Sequence, residues 1–596
     1  MASVSLRESI GIREEIIKKA CSMYMKAHNF AEKQLYVCEK IRNSSELVFS
    51  FPGSWSVSDL FVGSPFGEVT VDLELFPSLR CIGLNEIATV NGAFFNRFKA
   101  ILGTTQFKKE VRTAVTERKQ VVFTGHSLGG PIAILATIWF LEEYIRQDPK
   151  TLAPLCLTFG SPLVGDRIVS HALRRENWSR YFVNFVMRYD IVPRVSLAPL
   201  SSVEHQLQQV LNCFNPKSPL YMQGNVGEAS GFYVNVMRNA FSVVSHAACK
   251  MMGSTNLLLE TVSNFVELSP YRPLGTFVFC AGNGKLVVVR NPDAILQLLF
   301  YTFQLSSVAV ADSRLKDHLS YKDELQECLQ MQSVTFLDDH HLEALPLSDN
   351  VTMEINMALN DLGLSAKARL CLRAAGELEK QKKNNQKAID KKLEDIESGL
   401  GKLQGYKKRC QHKMGYYDAF KLPKDKEDFD ANVKRLELAG IWDEIIEMLK
   451  RNELPDEFES RKAWIEIGTR YRRIVEPLDI ANYYGHLKNE DTGPYIETGR
   501  PKRYKCTQRW REHVERMSKE SSESCFWAEV EELCIKSGNP SIREAILQLK
   551  RRVEEWIRNG YLDDDVFLKG STFDKLLKEY SLTNSDQNVI FQGSWS

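Results

Sequence analysis

Ser127 is the residue of this chain whose type and setting most directly offer covalent chemistry. It stands in Gly125-His126-Ser127-Leu128-Gly129-Gly130, directly after the apolar run Val121-Val122-Phe123. The pattern is G-x-S-x-G, a nucleophile elbow, in which a serine on a sharp turn between strand and helix presents its hydroxyl. Such a turn is crowded and strained, so glycines flank the serine where a Cβ would clash. The context agrees on both sides. Val121–Thr124 is short, apolar and β-prone, and residues 131–144 (PIAILATIWFLEEY) form a long apolar run ending in charge.

A serine attacks a carbonyl only with a base beside it, an acid orienting that base, and donors for the developing oxyanion. In an α/β-hydrolase these follow in the order serine, acid, histidine. Asp190, in Arg188-Tyr189-Asp190-Ile191-Val192-Pro193, comes just after a strand-like run and is the best acid; Asp166, inside a turn, is the weaker candidate. His205, His246 and His318 all follow Asp190, with His246 56 residues and His318 128 residues past it, and spacing leaves the choice among them open. For the oxyanion, Ser54 in Phe51-Pro52-Gly53-Ser54-Trp55 follows an early strand and offers hydroxyl and amide. The amide of Leu128, next after the nucleophile, is the second donor.

The elements that must position these groups change character near residue 350. Before it, β-rich runs at 47–51, 121–124, 155–159, 182–188, 277–280 and 286–290 alternate with helical stretches, and residues 281–285 read as a hairpin turn. That alternation predicts an α/β sheet protein. After it, Lys/Glu/Leu-rich helical periodicity takes over. Ile389, Leu393, Ile396, Leu400 and Leu403 follow a 4-3-4-3 spacing that lays one apolar seam along a helix, and 441–449 and 464–475 are further amphipathic helices. A seam of about two heptads suits the core of a bundle better than a free coiled coil. The expectation is an α/β-hydrolase domain over residues 1–350 and an all-α domain over 351–596, divided near Pro346–Asn350.

Composition narrows the classes. A chain of 596 residues is too long for one core. With 43% hydrophobic and 26% charged residues and a net charge of +1, it is an ordinary globular composition and no polyelectrolyte. Thirteen cysteines without a C-x-x-C pair point to reduced thiols, with no disulfide framework and no metal site. The first residues lack an apolar signal core, and the longest apolar stretch, 131–141, is short of a membrane span, so a soluble intracellular protein is expected. No P-loop or G-x-G-x-x-G is present and no cofactor is expected.

The strand ending in a G-S turn, the GHSLGG elbow, the TFGSPLVGD segment and the D-I-V-P loop together resemble class 3 lipases over residues 45–195. Many of those carry a histidine in a V-H-x-G-F segment where this chain reads Val90-Asn91-Gly92-Ala93-Phe94. Beyond that region, Ser269–Thr276 (SPYRPLGT), Asp317-His318-Leu319-Ser320-Tyr321 and Tyr483–Asn489 (YYGHLKN) make nearly the whole chain similar to the plant lipase-like immune regulators. That resemblance implies a lipase-like domain joined to a family-specific helical domain, and Ser127, Asp190 and His318 as the triad. It implies a defence role, with hypersensitive response, that does not need ester cleavage. It further implies a heterodimer with a related lipase-like partner (the phytoalexin-deficient or senescence-associated member). An ADP-ribose-type nucleotide would be held between the helical domains, and signals would pass from TIR-type to helper receptors in cytoplasm and nucleus.

Two stretches bear on these implications. In Asn256–Leu268, Leu258, Val262 and Phe265 recur at i, i+4, i+7 beside Leu259 and Val266. By itself this reads as a helix packed on its own domain; the resemblance implies that it enters a groove on the partner. From Arg461 to Arg511 there are twelve Lys/Arg and six Asp/Glu, with Tyr471, Tyr483, Tyr484, Tyr495 and Tyr504 interleaved. The ordinary meaning of a charge run is a solvated face. DNA binding is disfavoured because no groove-reading motif accompanies the charge, and an anion site for a phosphorylated ligand fits better. Matching to the family assigns that ligand to His486, Lys488 and Arg503, with Tyr483 or Tyr484 available to stack on a base. The alternative to a signalling receptor is an active intracellular serine acyl hydrolase using the same triad.

Overall fold

β-Branched and aromatic runs form the strands, as the alternation predicts, and join in one eight-stranded sheet. In chain order these are β1 (Val37–Lys40), β2 (Glu46–Phe51), β3 (Gln120–His126), β4 (Leu155–Phe159), β5 (Phe182–Met187), β6 (Thr276–Cys280), β7 (Lys285–Val289) and β8 (Ser333–Leu337). They lie side by side in that same order. From β2 to β6 neighbours are parallel; β1 on β2 and β7 on β6 are antiparallel hairpin pairs, and β8 runs parallel to β7. Every residue of β4, β5 and β6 is buried, as a parallel sheet covered on both faces requires. The edge strands β1 and β8 are the two that the sequence reading missed, being short and only partly buried.

This computed structural model describes residues 10–30, 34–41, 45–53, 65–215, 217–221, 229–253, 268–282, 284–304, 315–331, 333–345, 353–411, 414–422, 425–517, 523–536 and 542–580. The chain divides into two compact units, one comprising 1–81 and 85–381 and the other 82–84 and 382–596. In the first, α1 (Glu14–Phe30) packs on one face of the sheet, with Ile17 and Tyr24 against Val48, Val122 and Phe185. On the other face, α2 (Gly92–Leu102) and α3 (Gly130–Phe140) enclose Phe49 and Phe123. The run Ser127–Ile145 is long and apolar enough to cross a bilayer, but 83% of its most apolar window is buried inside this unit. Its apolarity belongs to a core helix.

The first unit extends to Gln381, about thirty residues past the expected division. Ile355, Leu359 and Leu372, on helices Met353–Asp361 and Ala366–Lys391, share a core with Phe277 and Leu298. A helical pattern does not say which core its apolar face will join, so the change from strands to helices preceded the change of unit.

The second unit is helical, built on α6 (Leu393–Cys410), α7 (Lys426–Lys450), α8 (Lys462–Gly485) and α9 (Lys502–Glu515). The predicted seam faces its core: Ile389, Ile396, Leu400 and Leu403 are buried and Leu393 partly so. Trp442, Trp464 and Trp510 are fully buried, with Tyr471 stacked 5.1 Å from Trp442 and 5.4 Å from Tyr504.

Glycine requirements separate crowded positions from open ones. A Cβ on Gly129 would run into the Phe51 carbonyl oxygen, whereas exposed Gly401 on α6 has no heavy atom within 4 Å of that position. Gly129→Ala should therefore cost at least about 2 kcal/mol in urea unfolding. Gly401→Ala should raise stability by about 0.5–1 kcal/mol, and equal responses at the two sites would contradict this packing.

Candidate functional site

The elbow is built as its sequence requires. β3 ends at His126, and Ser127 adopts φ 53°, a left-handed conformation that a serine takes only under constraint. The chain then passes through a 3-10 turn, Ser127–Gly129, into α3. A Cβ at Gly125 would strike the Gly129 carbonyl, so this end of the turn also needs glycine. β2 and β3 pair in parallel with Phe51 opposite Gly125, which brings the end of β2 beside the elbow. Ser54 lies outside the described residues. Leu128 follows the serine in the turn and is buried.

Asp190 sits just past β5, wholly buried. Its Oδ2 accepts from His318 Nδ1 at 2.8 Å and from the Tyr321 hydroxyl at 2.7 Å, and its Oδ1 from the Val192 amide at 2.9 Å. Among the three candidate histidines the geometry selects His318; His205 and His246 are exposed on helices Leu200–Phe214 and Ala229–Met251. Asp166 is occupied elsewhere, capping helix Arg167–Arg175 through the amides of Ile168 and Val169. Asn91 likewise caps α2 through Ala93 and Phe94 and donates to the Phe66 carbonyl, so the V-N-G-A-F departure has a structural role here.

The expected three-residue relay is only half formed. Ser127 Oγ and His318 Nε2 are both buried, and neither has a hydrogen-bond partner among the described residues. The imidazole is wedged between rings, 4.4 Å from that of His126 and 4.4 Å from that of Phe214. Phe214 ends α4 (Leu200–Phe214), which also places Leu207 and Leu211 beside the elbow. The cavity that Leu207 and Leu211 share with Leu128, Phe94 and Val192 leaves about 20 Å³. That is room for about one water, against roughly 300 Å³ or more in ordinary ligand pockets.

Sequence reasoning missed three further groups here. Tyr321, three residues after His318, opens α5 (Tyr321–Met331) and accepts the Met187 amide at 2.9 Å while donating to Asp190. Arg194, four residues after Asp190, is fully buried and grips the Asp190, Leu299 and Arg188 carbonyls. The third is a histidine chain. His126 Nε2 meets the His318 carbonyl at 2.8 Å, and His126 Nδ1 meets His28 Nε2 at 3.0 Å. A carbonyl only accepts, so His126 carries its proton on Nε2 and its Nδ1 accepts from His28. Burial keeps both rings neutral.

In the helical unit, His486 ends α8, with its Nδ1 donating to the Asn482 carbonyl at 2.9 Å; it and Lys488 are exposed. Arg503 opens α9. Its Nη1 bonds both Asp443 oxygens, at 3.1 and 2.9 Å, and its Nη2 bonds Asp479 at 2.6 Å. These three lie at the same end of the α8–α9 pair, which one connecting segment joins. Tyr483 and Tyr484 do not serve as stacking platforms. Both are buried, packed against each other and, for Tyr483, against Tyr495, with hydroxyls bonded to the Gly493 carbonyl and Glu532. Nor is the basic stretch a free positive face. Arg461, Arg470, Arg500 and Arg503 pair with Asp390, Glu397, Glu476 and Asp443, and Tyr471, Tyr495 and Tyr504 are core residues. The partner-binding stripe, Leu258, Leu259, Val262, Phe265 and Val266, lies outside the described residues.

Comparison with known proteins matches residues 49–199 to the class 3 lipase family and residues 401–592 to the Enhanced disease susceptibility 1 protein EP domain. The Arabidopsis thaliana protein EDS1B is 43% identical over 93% of each chain. The chain belongs to the Enhanced disease susceptibility 1 family. More distant relatives are the Arabidopsis thaliana lipase-like PAD4, 25% identical over 90% of this chain and 88% of the relative, and senescence-associated carboxylesterase 101, 27% identical over 85% and 78%. This lipase-like family of plant defence regulators accounts for both units, the first an α/β-hydrolase and the second helical.

In this family member the neutral histidine chain makes stability depend on acid. Burial, with a smaller contribution from His318, lowers the His28 pKa to about 3, and burial also holds His126 well below the ordinary value. In the unfolded chain an imidazole takes its proton near pH 6.5. Stability from His28 is therefore complete above about pH 6.5 and is lost as pH falls toward 3. His28→Gln keeps a donor for His126 but cannot titrate. Its unfolding free energy should fall less steeply below pH 6.5, by up to about 1.4 kcal/mol per pH unit, and an identical slope in urea melts would refute the assignment.

Proposed function

We propose that this protein is a lipase-like immune regulator that signals by association and ligand capture, without ester turnover. The observation that carries this reading is the 20 Å³ cavity at Leu128, the residue after the nucleophile, together with the absence among the described residues of a bond from serine to histidine. A general base must reach the proton it removes, and an acyl chain needs space that α4 occupies. The partner is a related lipase-like protein of the kind represented by lipase-like PAD4 or senescence-associated carboxylesterase 101, bound through the 258–266 stripe. The ligand is an ADP-ribose-type nucleotide whose phosphates meet His486, Lys488 and Arg503, with the remaining contacts supplied by the partner's helical domain. The complex relays TIR-type receptor signals to a helper receptor, in cytoplasm and nucleus.

An acyl hydrolase is the second reading, favoured by the Asp190–His318 bond at 2.8 Å. The two separate in one signalling assay. Arg503→Ala should abolish signalling while the heterodimer still forms, and Ser127→Ala should signal normally. The reverse pattern, with turnover of model esters that disappears in Ser127→Ala, would establish the hydrolase.

Combined Leu258→Ala, Val262→Ala and Phe265→Ala should release the partner, since apolar hot spots cost about 2 kcal/mol or more each. The altered chain should melt like the parent. Early melting or aggregation of the triple variant would show that this stripe is core.

A further inference from the structure

Three arginines of the helical unit converge on one buried carboxylate. Glu523 accepts from Arg472 Nη2 at 3.3 Å, Arg473 Nε at 2.6 Å and Arg511 Nη1 at 2.8 Å. Burial opposes its charge, yet the three guanidinium groups hold its carboxyl down to about 2. Arg473 and Arg511 also lie over the ring of Tyr561, 4.3 and 4.8 Å from its centroid. With Ile465, Ile467 and Thr469, these two arginines and Tyr561 line a cavity of about 580 Å³.

The carboxylates on the cavity wall have partners of their own. Glu397 is matched by Arg470 at 2.9 Å, Glu466 by Lys462 at 3.6 Å and Glu515 by Arg511 Nε at 2.8 Å. Arg472, almost wholly buried, is sufficient to balance Glu523. Three guanidinium groups thus share the one carboxylate of Glu523, and Arg473 has no other carboxylate partner among the described residues. Both Nη groups of Arg473, and Nη2 of Arg511, have no hydrogen-bond partner among the described residues. These donors are open to an acceptor that enters the cavity, and their planar forks match a tetrahedral oxyanion.

We propose that this cavity is a second anion site, which takes a phosphomonoester. The phosphoryl oxygens accept from Arg473 and Arg511, and the remainder of the ligand rests on Tyr561, Ile465 and Ile467. The site is separate from the nucleotide site at the other end of the helix pair. Arg511 lies eight residues beyond Arg503, about 12 Å along α9, and the two arginines share no hydrogen-bond partner. A soluble phosphorylated metabolite and a phosphomonoester lipid headgroup present the same chemistry to it.

The test uses the full chain with inorganic phosphate, followed by phosphorus NMR line broadening, and phosphatidylcholine vesicles doped with phosphatidic acid, followed by co-sedimentation. Arg473→Gln should weaken phosphate binding at least about tenfold, as loss of a charged hydrogen bond does. Thr469→Asp should do the same; it sets a carboxylate on the cavity wall and leaves the Glu523 cluster intact, so it serves even where Arg473→Gln fails to fold. Arg503→Ala, which removes a phosphate contact of the nucleotide site, should leave in place the phosphate binding that Thr469→Asp removes. Vesicle binding that Thr469→Asp removes and free phosphate competes away assigns the site to a headgroup; phosphate binding without vesicle binding assigns it to a soluble metabolite. Wild-type phosphate binding in both cavity variants, or loss only in Arg503→Ala, overturns the proposal.

Discussion

Asp190 places a carboxylate wholly out of water, and the C-terminal edge of the sheet is organised around satisfying it. An isolated buried carboxylate is too costly to keep charged unless donors surround it. Here the donors come from distant parts of the chain: the Val192 amide, His318 from segment 315–319, and the Tyr321 hydroxyl from the start of α5. Arg194 ties the same loop to the Leu299 and Arg188 carbonyls. The acid, the histidine and the tyrosine are therefore structural necessities to one another. This gives a physical reason for the Asp–His pair that is independent of catalysis, since removing either partner strands a buried polar group.

The serine depends on that arrangement less. Its backbone is held by packing of β3, α3 and the end of β2, whereas its hydroxyl is bonded to nothing described. Beside the elbow, α4 sets Leu207 and Leu211 on the cavity next to Leu128 and Phe214 against the His318 ring. Among the described residues that cavity leaves about 20 Å³.

The helical unit applies the same rule with the signs exchanged. Its basic stretch supplies counter-charges for buried carboxylates: Arg500 for Glu476, Arg435 and Arg503 for Asp479, and Arg472, Arg473 and Arg511 for Glu523. Tyrosines that alternate with the arginines complete these clusters, as Tyr504 does for Asp479 at 2.7 Å. A charge run read along the chain suggests a free surface; here Arg472 and Arg511 are buried, Arg461, Arg473, Arg500 and Arg503 are half-buried against acids, and Lys462, Arg470, Lys488 and Lys502 are exposed.

The sequence by itself determined the local features. Gly125 and Gly129 mark a turn that only glycine can build, the six apolar runs are strands because their residues suit a sheet buried on both faces, and the 389–403 seam faces a helical core because its period is helical. These are set by neighbours in the chain. The sequence also narrowed the acid to Asp190, whose position just after a strand puts it on the reacting edge. Spacing left His205, His246 and His318 open and the family resemblance implied His318; the tertiary structure supplies the contact, His318 Nδ1 at 2.8 Å from Asp190, because partnership across more than a hundred residues leaves no trace in spacing. It alone moved the unit boundary from near residue 350 to Gln381, since the same amphipathic helix can join either core. It alone brought His28 to His126, turned Tyr483 and Tyr484 inward, and set Glu523 beneath three arginines. In each case the determining quantity is burial, and burial belongs to the packed whole and not to any stretch of the chain.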